Sequence, residues 1–314
     1  MMAMESVCVV LPAYNERAAL GQLVPEIFET LNASGVQPSV CVVDDGSTDG
    51  TFEWLLEFRK SDDRIQVLQL SRNFGQQAAL LAGLRNVSAD AVVMMDADGQ
   101  HPVSALTEMI ESWRDGSDVV NTVPEVGRQS GLFRRNAGRG FYSLFRVLTG
   151  LSLAEGMSDF RLLSRRAHLA TLEAVGKRPF LRGTTSWIGL RQASVSYARH
   201  ERSHGSPTYS IPRLVRLARD GIVGFSNRPL LIVASLGAIC SLLVGVYASV
   251  FIAVEVATGR DAPGWASIVA ILSTMQTVIF VMMAVLGAYI GSIHNEVVRR
   301  PTYVIQESSL TEVG

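Results

Sequence analysis

Apolar and polar positions follow one rule along the first part of this chain and another along its last third. Up to about residue 122, short β-branched runs alternate with amphipathic stretches. The runs Ser6–Leu11, Ser39–Val43, Ile65–Leu70, Ala91–Met95 and Asp118–Asn121 predict strands. Leu20, Leu23, Ile27, Phe28 and Leu31 recur at helical spacing between the first two. Phe52, Leu55, Leu56 and Phe58 predict a second helix, Ala78 to Leu84 a third, and Leu106, Met109, Ile110 and Trp113 a fourth. Strands separated by helices predict an α/β fold with a Rossmann-like, mostly parallel sheet. The strands are apolar throughout instead of alternating, which fits burial on both faces. In such sheets ligands sit beyond the carboxyl ends of the strands.

The last third is different. Pro229 to Val254 is 26 residues without a charge, and Ala262 to Ile293 is another 32. A membrane span needs about 20 apolar residues, so both runs qualify as transmembrane helices. Arg213, Arg216, Arg219 and Arg228 precede the first run, and Arg299 and Arg300 follow the second. The connecting "EVATGRDAPG" holds one Arg and two acids. The excess of positive charge on cytoplasmic flanks then predicts both termini in the cytoplasm. Before the first run, "SIPRLVRLARDGIVGF" spaces three arginines three apart among aliphatic residues. It predicts an amphipathic helix lying on an anionic lipid surface. The expected organisation is a cytosolic domain over 1–210, the amphipathic helix over 211–228, two membrane helices over 229–294 and a cytosolic tail over 295–314.

Formal net charge is −1, so no global field favours nucleic acid. The charge is uneven, however. Glu125 to Arg228 holds 18 Lys/Arg against six Asp/Glu, a local excess that favours anionic partners. Cys8, Cys41 and Cys240 lie in apolar runs without CxxC pairing, so neither a disulfide frame nor a zinc site is expected. The N-terminus lacks the charge and apolar length of a signal peptide.

Three polar clusters end three predicted strands: "LPAYNER", "VVDDGSTDGT" and "MMDADGQHP". Their convergence on one sheet edge makes a ligand site. Asp44 and Asp45 can accept from ribose hydroxyls or a base N–H. Asp49 is expected to serve the start of the following helix. Asp96 and Asp98, at i and i+2 of an extended segment, point the same way. Two such carboxylates suit Mg²⁺ or Mn²⁺, with Gln100 as a candidate third ligand.

These pieces resemble family 2 glycosyltransferases of the GT-A fold, specifically those that use a polyprenyl phosphate as acceptor. The resemblance is carried by "VVLPAYNE", "VVDDGSTDGT", "LSRNFGQQAALLAGL", "DADGQHP", "SDFRLLSRRA", the two apolar runs and "RRPTYVI". It implies that Pro12, Tyr14, Glu16, Asp44 and Asp45 hold the nucleoside of a nucleotide-sugar donor. It implies that Asp96 lies near ribose and diphosphate, and that Asp98 with Gln100 holds the metal. "LSRNFGQQAAL" is implied on the sugar-diphosphate side, and Asp159 at the catalytic position. Homo-oligomers are common in such families and are expected here.

A lipid phosphate has its second pKa near about 6, so the acceptor needs little base catalysis. Asp159 is therefore expected to position the acceptor, to take a residual proton or to orient Arg161. The plainer alternative is that Asp159 caps a helix beginning near Leu162. Arg128, Arg134, Arg135, Arg139, Arg161 and Arg202 are the candidates for binding acceptor or diphosphate, and His204 sits in a candidate lid. Two positions depart from the family pattern. Val123, Pro124 and Glu125 stand where relatives carry arginine, leaving Arg128 as the substitute, and Thr208 precedes Tyr209 where a basic residue is usual.

Rival classes fit less well. "GRGFYS" does not follow a predicted strand, which argues against a dinucleotide dehydrogenase. A processive polysaccharide synthase lacks its QxxRW motif here. A non-catalytic membrane partner would not need intact "DD", "DAD" and "SDF". The expected activity is inverting transfer from a nucleotide sugar, UDP-glucose first and GDP-mannose as the alternative, to polyprenyl phosphate at the cytoplasmic leaflet.

Overall fold

The computed structural model describes residues 4–124, 158–177, 179–197, 226, 228–258, 264–298 and 300–309. Eight strands form one sheet: β1 Ser6–Ala13, β2 Gln37–Asp44, β3 Ile65–Leu70, β4 Ala91–Met94, β5 Val119–Pro124, β6 Arg161–Ser164, β7 Gln192–Tyr197 and β8 Ile305–Ser308. Their order is β7-β5-β6-β4-β1-β2-β3-β8. β1 pairs in parallel with β2 and β4, β2 with β3, and β5 with β7. β6 runs against both β4 and β5, and β8 against β3. The sheet is thus the mostly parallel one that the pattern predicts.

The helices of this unit are α1 Arg17–Ala33, α2 Thr51–Arg59, α3 Gln76–Asn86, α4 Ala105–Arg114, α5 Arg165–Ala174 and α6 Leu181–Trp187. Strand alternation explains the two layers of core. Val7, Val9 and Leu11 pack on one face with α1, α2 and α4 residues such as Leu20, Leu55 and Leu106. Cys8 and Val10 pack on the other with Leu80 and Leu84 of α3 and Leu181 of α6. β1 and β4, in the middle of the sheet, bury both faces, so their runs have no polar alternation. α3 lies unusually close to the sheet. A Cβ at Gly83 would sit 2.3 Å from Val10 Cγ1 and 3.1 Å from Val43 Cγ2, so only glycine fits there.

Two expectations are corrected. No helix begins near Leu162. Residues 161–164 are β6, and α5 starts at Arg165 with Ser164 Oγ accepting from the Ala167 N–H at 3.2 Å. Asp159 is therefore not a helix cap. The tail is not a separate appendage either. β8 closes the β3 edge, Ser71 N–H donates to Val304 O at 2.9 Å, and Tyr303 and Ile305 pack against the second core face. An edge strand exposes unpaired backbone groups, and β8 satisfies those of β3.

A second unit holds α7 Arg228–Thr258 and α8 Trp265–Val297. Both are long and apolar enough to cross a membrane. Windows of 18 and 24 residues, Leu230–Tyr247 and Ile271–His294, have mean hydropathies of 2.4 and 2.0 and are 6% and 0% buried. A core helix of a soluble protein would have its apolar surface covered, and these do not. The two helices pack closely where Gly237 faces Met282, whose Sδ lies 2.8 Å from the position a Cβ would take. Residues 211–225, where the amphipathic helix is expected, lie outside the described residues.

Candidate active site

The site is built from sheet register. Ala13 at the end of β1 pairs with Asp44 at the end of β2. The two following loops are knitted together. Asn15 N–H donates to Ser47 Oγ at 2.9 Å, and Thr48 N–H donates to Asn15 Oδ1 at 2.9 Å. Asn15 takes the left-handed conformation, φ 59°, which asparagine tolerates better than most residues. This turn leaves Tyr14 exposed and Pro12 and Glu16 half-buried at the edge. Asp44 is buried and accepts from Ser47 N–H at 3.2 Å and from Gln69 Nε2 at 3.4 Å. Burial raises its pKa, and these bonds offset part of the rise.

Asp45 faces a different task. Its carboxylate accepts from Phe74 N–H at 2.7 Å and Gly75 N–H at 2.8 Å. Each such charge-assisted bond is worth about 1.5–3 kcal/mol. Asp45 thereby pins the loop that leads into α3. Gly46 lets that loop approach: its φ is 72°, and a Cβ would lie 2.7 Å from the Arg72 carbonyl carbon. Asp49 accepts from Thr51 N–H at 3.0 Å from the position before the N-cap of α2, which is Gly50 and carries no side-chain cap.

The second half of the site follows from the antiparallel pair β4/β6. Met94 pairs with Arg161. β4 leaves the sheet where β6 enters it, so Asp96 and Asp159, each two residues outside that pair, come to one edge. Gln76 Nε2 donates to Asp96 Oδ1, and Gln77 Nε2 donates to Asp159 Oδ2 at 2.9 Å. The first two residues of α3 therefore hold the two carboxylates. His101 joins the same two segments from behind. Its Nδ1 accepts from Asp96 N–H at 3.3 Å, its Nε2 lies 3.0 Å from Ser158 Oγ, and its ring stacks on Phe160 at 4.9 Å.

Asp98 is exposed, and both of its oxygens are steadied by Gln100, through the backbone N–H at 3.1 Å and through Nε2. Burial, then Asp159, then Asp98 push the Asp96 carboxyl up to about 7. A carboxylate pair that resists shared negative charge is one that a cation would relieve. Mg²⁺ or Mn²⁺ fits this donor set: two carboxylates and one side-chain amide, with phosphates and waters for the rest. Among the described residues no group of three or more His, Cys, Asp or Glu forms a closed metal cage.

Asp159 is buried and accepts from Arg182 Nε at 3.3 Å and Nη2 at 2.9 Å. Burial works to raise its pKa, but Arg182, then Arg161 and Gln77, more than offset it, and the carboxyl stays below its ordinary range. Arg161 lies beneath the site, fully buried, donating to Ser158 O at 2.7 Å and to Thr185 Oγ1. Burial lowers its pKa to about 10, which still leaves it charged at neutral pH. Arg182 faces the site instead. Sequence reading gave Arg182, Gln76, Gln77 and His101 no individual role. Arg128, Arg134, Arg135, Arg139, Arg202 and His204 lie outside the described residues.

Residues 8–170 match Glycosyl transferase family 2. The SfII prophage-derived bactoprenol glucosyl transferase of Shigella flexneri is 30% identical over 96% of this chain and 98% of its own. The undecaprenyl-phosphate 4-deoxy-4-formamido-L-arabinose transferase of Edwardsiella ictaluri is 31% identical over 96% and 93%. Among solved structures, glucosyl-3-phosphoglycerate synthase from Mycobacterium tuberculosis, in complex with Mg²⁺ and UDP, has a TM-score of 0.49 and 22% identity over 70% of this chain and 77% of its own. With the family matched across the whole carboxylate-bearing part of the sheet, the chain belongs to glycosyl transferase family 2.

Proposed function

We propose that this glycosyltransferase moves a sugar from a nucleotide-sugar donor, UDP-glucose as the first choice, to a polyprenyl phosphate of the undecaprenyl type. The observation that carries the reading is the presence in one chain of the carboxylate-lined sheet edge and two exposed apolar helices. Relatives similar over nearly the full chain and named for bactoprenol and undecaprenyl phosphate support the acceptor class. They differ in sugar at equal identity, so the pocket chemistry, not overall similarity, selects the donor.

In this reading Asp44, with Pro12, Tyr14 and Glu16 beside it, holds the nucleoside. Asp45 acts one step back by fixing the loop before α3. Asp96 and Asp98, steadied by Gln76 and Gln100, would hold a divalent cation, which when bound would neutralise charge on the leaving diphosphate. The acceptor phosphate oxygen attacks the anomeric carbon with inversion while the bond to the diphosphate breaks. That oxygen is already largely unprotonated at neutral pH, so Asp159, with its low pKa and buried hydrogen bonds, acts by position and charge.

The sheet also bears on topology. β8 follows α8 in sequence yet lies in the same sheet as β1–β7, which precede α7. This supports an even number of membrane crossings, with both ends of the helix pair on one side, and the flanking arginines favour the cytoplasmic side. The test is direct. The purified chain is incubated with Mn²⁺, undecaprenyl phosphate and radiolabelled UDP-glucose or GDP-mannose, and the organic phase is counted. Label in the organic phase with UDP-glucose is expected; label with GDP-mannose alone would reassign the donor, and none with any donor would overturn the acceptor.

A further inference from the structure

We propose that Arg182 and Asp159 form one phosphate-positioning unit, in which the Arg182 guanidinium contacts a phosphate oxygen of a substrate and Asp159 holds it there. This rests on the phosphate chemistry proposed above and adds to it a residue outside the strand-end motifs. Three contacts define the unit. Both oxygens of Asp159 are engaged, one by Arg182 Nε at 3.3 Å and the other by Arg182 Nη2 and Gln77 Nε2, each at 2.9 Å. A carboxylate so held, with its side chain 8% exposed, is poorly placed to receive a proton from an acceptor. It is well placed to fix the plane of a guanidinium.

Charge supplies the second part. Arg161 and Arg182 both act on Asp159, two positive charges on one carboxylate. Arg161 is fully buried and anchored to Ser158 and Thr185, so it cannot reach a ligand. Arg182 is the cation whose side chain reaches the surface, 26% exposed. It also acts on the charge of Asp96, which places it at the same edge as the aspartate pair. An anion is the ligand such a cluster selects. A guanidinium can hold a carboxylate with one edge and a phosphate with another, which an ammonium cannot.

Gln77 locks the geometry. Its Nε2 donates to Asp159, and its Oε1 accepts from the Leu181 N–H at 3.1 Å, immediately before Arg182. One side chain thus ties the start of α3, Asp159 and the start of α6 together. Two phosphates share the required chemistry: the lipid monophosphate and the donor diphosphate.

The experiment compares full-length wild type with Arg182→Ala, Arg182→Lys, Asp159→Asn and the double variant Asp159→Asn/Arg182→Ala. Two readouts are taken, the KM for undecaprenyl phosphate and the affinity for UDP with Mn²⁺ by calorimetry. Loss of a charge-assisted contact is expected to weaken one readout about tenfold or more. A raised KM identifies the lipid phosphate, and a weakened UDP titration identifies the diphosphate. Asp159→Asn should weaken the same readout, and the double variant little further, because the pair acts as a unit. Arg182→Lys should recover only part of the loss. If Arg182→Ala does not fold by thermal melting, Arg182→Lys against wild type carries the comparison. Both readouts staying within about twofold in a folded Arg182 variant would overturn the proposal, as would Asp159→Asn lowering kcat with KM and UDP affinity unchanged. If wild type transfers no sugar to undecaprenyl phosphate, the proposed function fails while the UDP titration still tests Arg182.

Discussion

Asp96 and Asp159 leave the sheet side by side, one after β4 and one before β6, yet their carboxyl groups shift in opposite directions. Asp159 is the more buried of the two, and burial alone would make it the harder to ionise. Arg182, Arg161 and Gln77 reverse that, and it ionises more easily than an ordinary carboxyl. Asp96 has more solvent, yet burial first, and then the carboxylates of Asp159 and Asp98, push it up to about 7. Burial pushes both carboxyls up; the arginines beside Asp159 overturn that push, and the carboxylates beside Asp96 add to it, so one is a settled anion and the other an anion waiting for a cation. The first suits a positioning role, and the second suits a metal site.

The largest expected effect lies on the Asp96 side. Asp98→Ala should lower metal-dependent turnover by about a hundredfold or more, in the range seen when one preorganised electrostatic group is removed. Initial rates across a Mn²⁺ titration would check it. Turnover within about tenfold of wild type, roughly 1.4 kcal/mol, would remove Asp98 from the metal site and dissolve the contrast.

Asp159→Asn addresses the other side. Because the Asp159 carboxyl lies below its ordinary range, its contribution is fully present at neutral pH and is lost only as pH falls through that lowered value. The variant should therefore lose about tenfold or more in kcat/KM, by a constant factor from pH 6 to 9. Any decline of the wild-type rate as pH falls toward about 6 belongs to protonation of Asp96 and of the acceptor phosphate, not of Asp159. A near-wild-type kcat/KM of the variant above pH 8 would sink the role as a permanent anion.

An effect on stability is expected where the two regions are joined. His101→Phe preserves a ring against Phe160 but removes the links to Asp96 N–H and Ser158 Oγ. Loss of two largely buried hydrogen bonds should cost about 2 kcal/mol of stability. Thermal melting and turnover should fall together. Unchanged turnover in a destabilised variant would show that the Asp96 and Asp159 segments work independently.

The same contrast shows what could be read from the sequence. β1, β2 and β4 contain continuous apolar runs, and the motifs that end them mark one edge of the sheet from the sequence alone. β6 escaped because Arg161 opens it and only Leu162 and Leu163 of its four residues are apolar, so the run looked like a helix start. That arginine is tolerated inside the sheet because Ser158 O and Thr185 Oγ1 receive it, partners that no local pattern reveals. Arg182 escaped for a related reason. It stands 23 residues after Asp159, and only the reversal of β6 and the packing of α6 bring the two together. β8 escaped because four residues after a long apolar helix read as a tail, and their partner strand lies more than two hundred positions earlier.

The remaining expected effect is the one that separates stability from function. The folded pKa of Asp96, about 7, lies above its ordinary value of 3.8. The folded protein therefore keeps this proton between about pH 4 and 7, after the unfolded chain has released it. Stability from this group is full below pH 4 and is lost as pH rises to 7, beyond which the loss is constant. Asp96→Asn has no proton to lose. In EDTA the variant should melt higher than wild type by an amount that grows from pH 4 to 7, reaching on the order of 2 kcal/mol, or a few degrees. Added Mn²⁺ should raise the wild-type melting temperature and leave that of the variant nearly unchanged, because a cation relieves only the carboxylate that is present. A variant that melts lower than wild type at pH 8 in EDTA would mean that Asp96 is a settled anion like Asp159, and the difference between the two sides of the site would vanish.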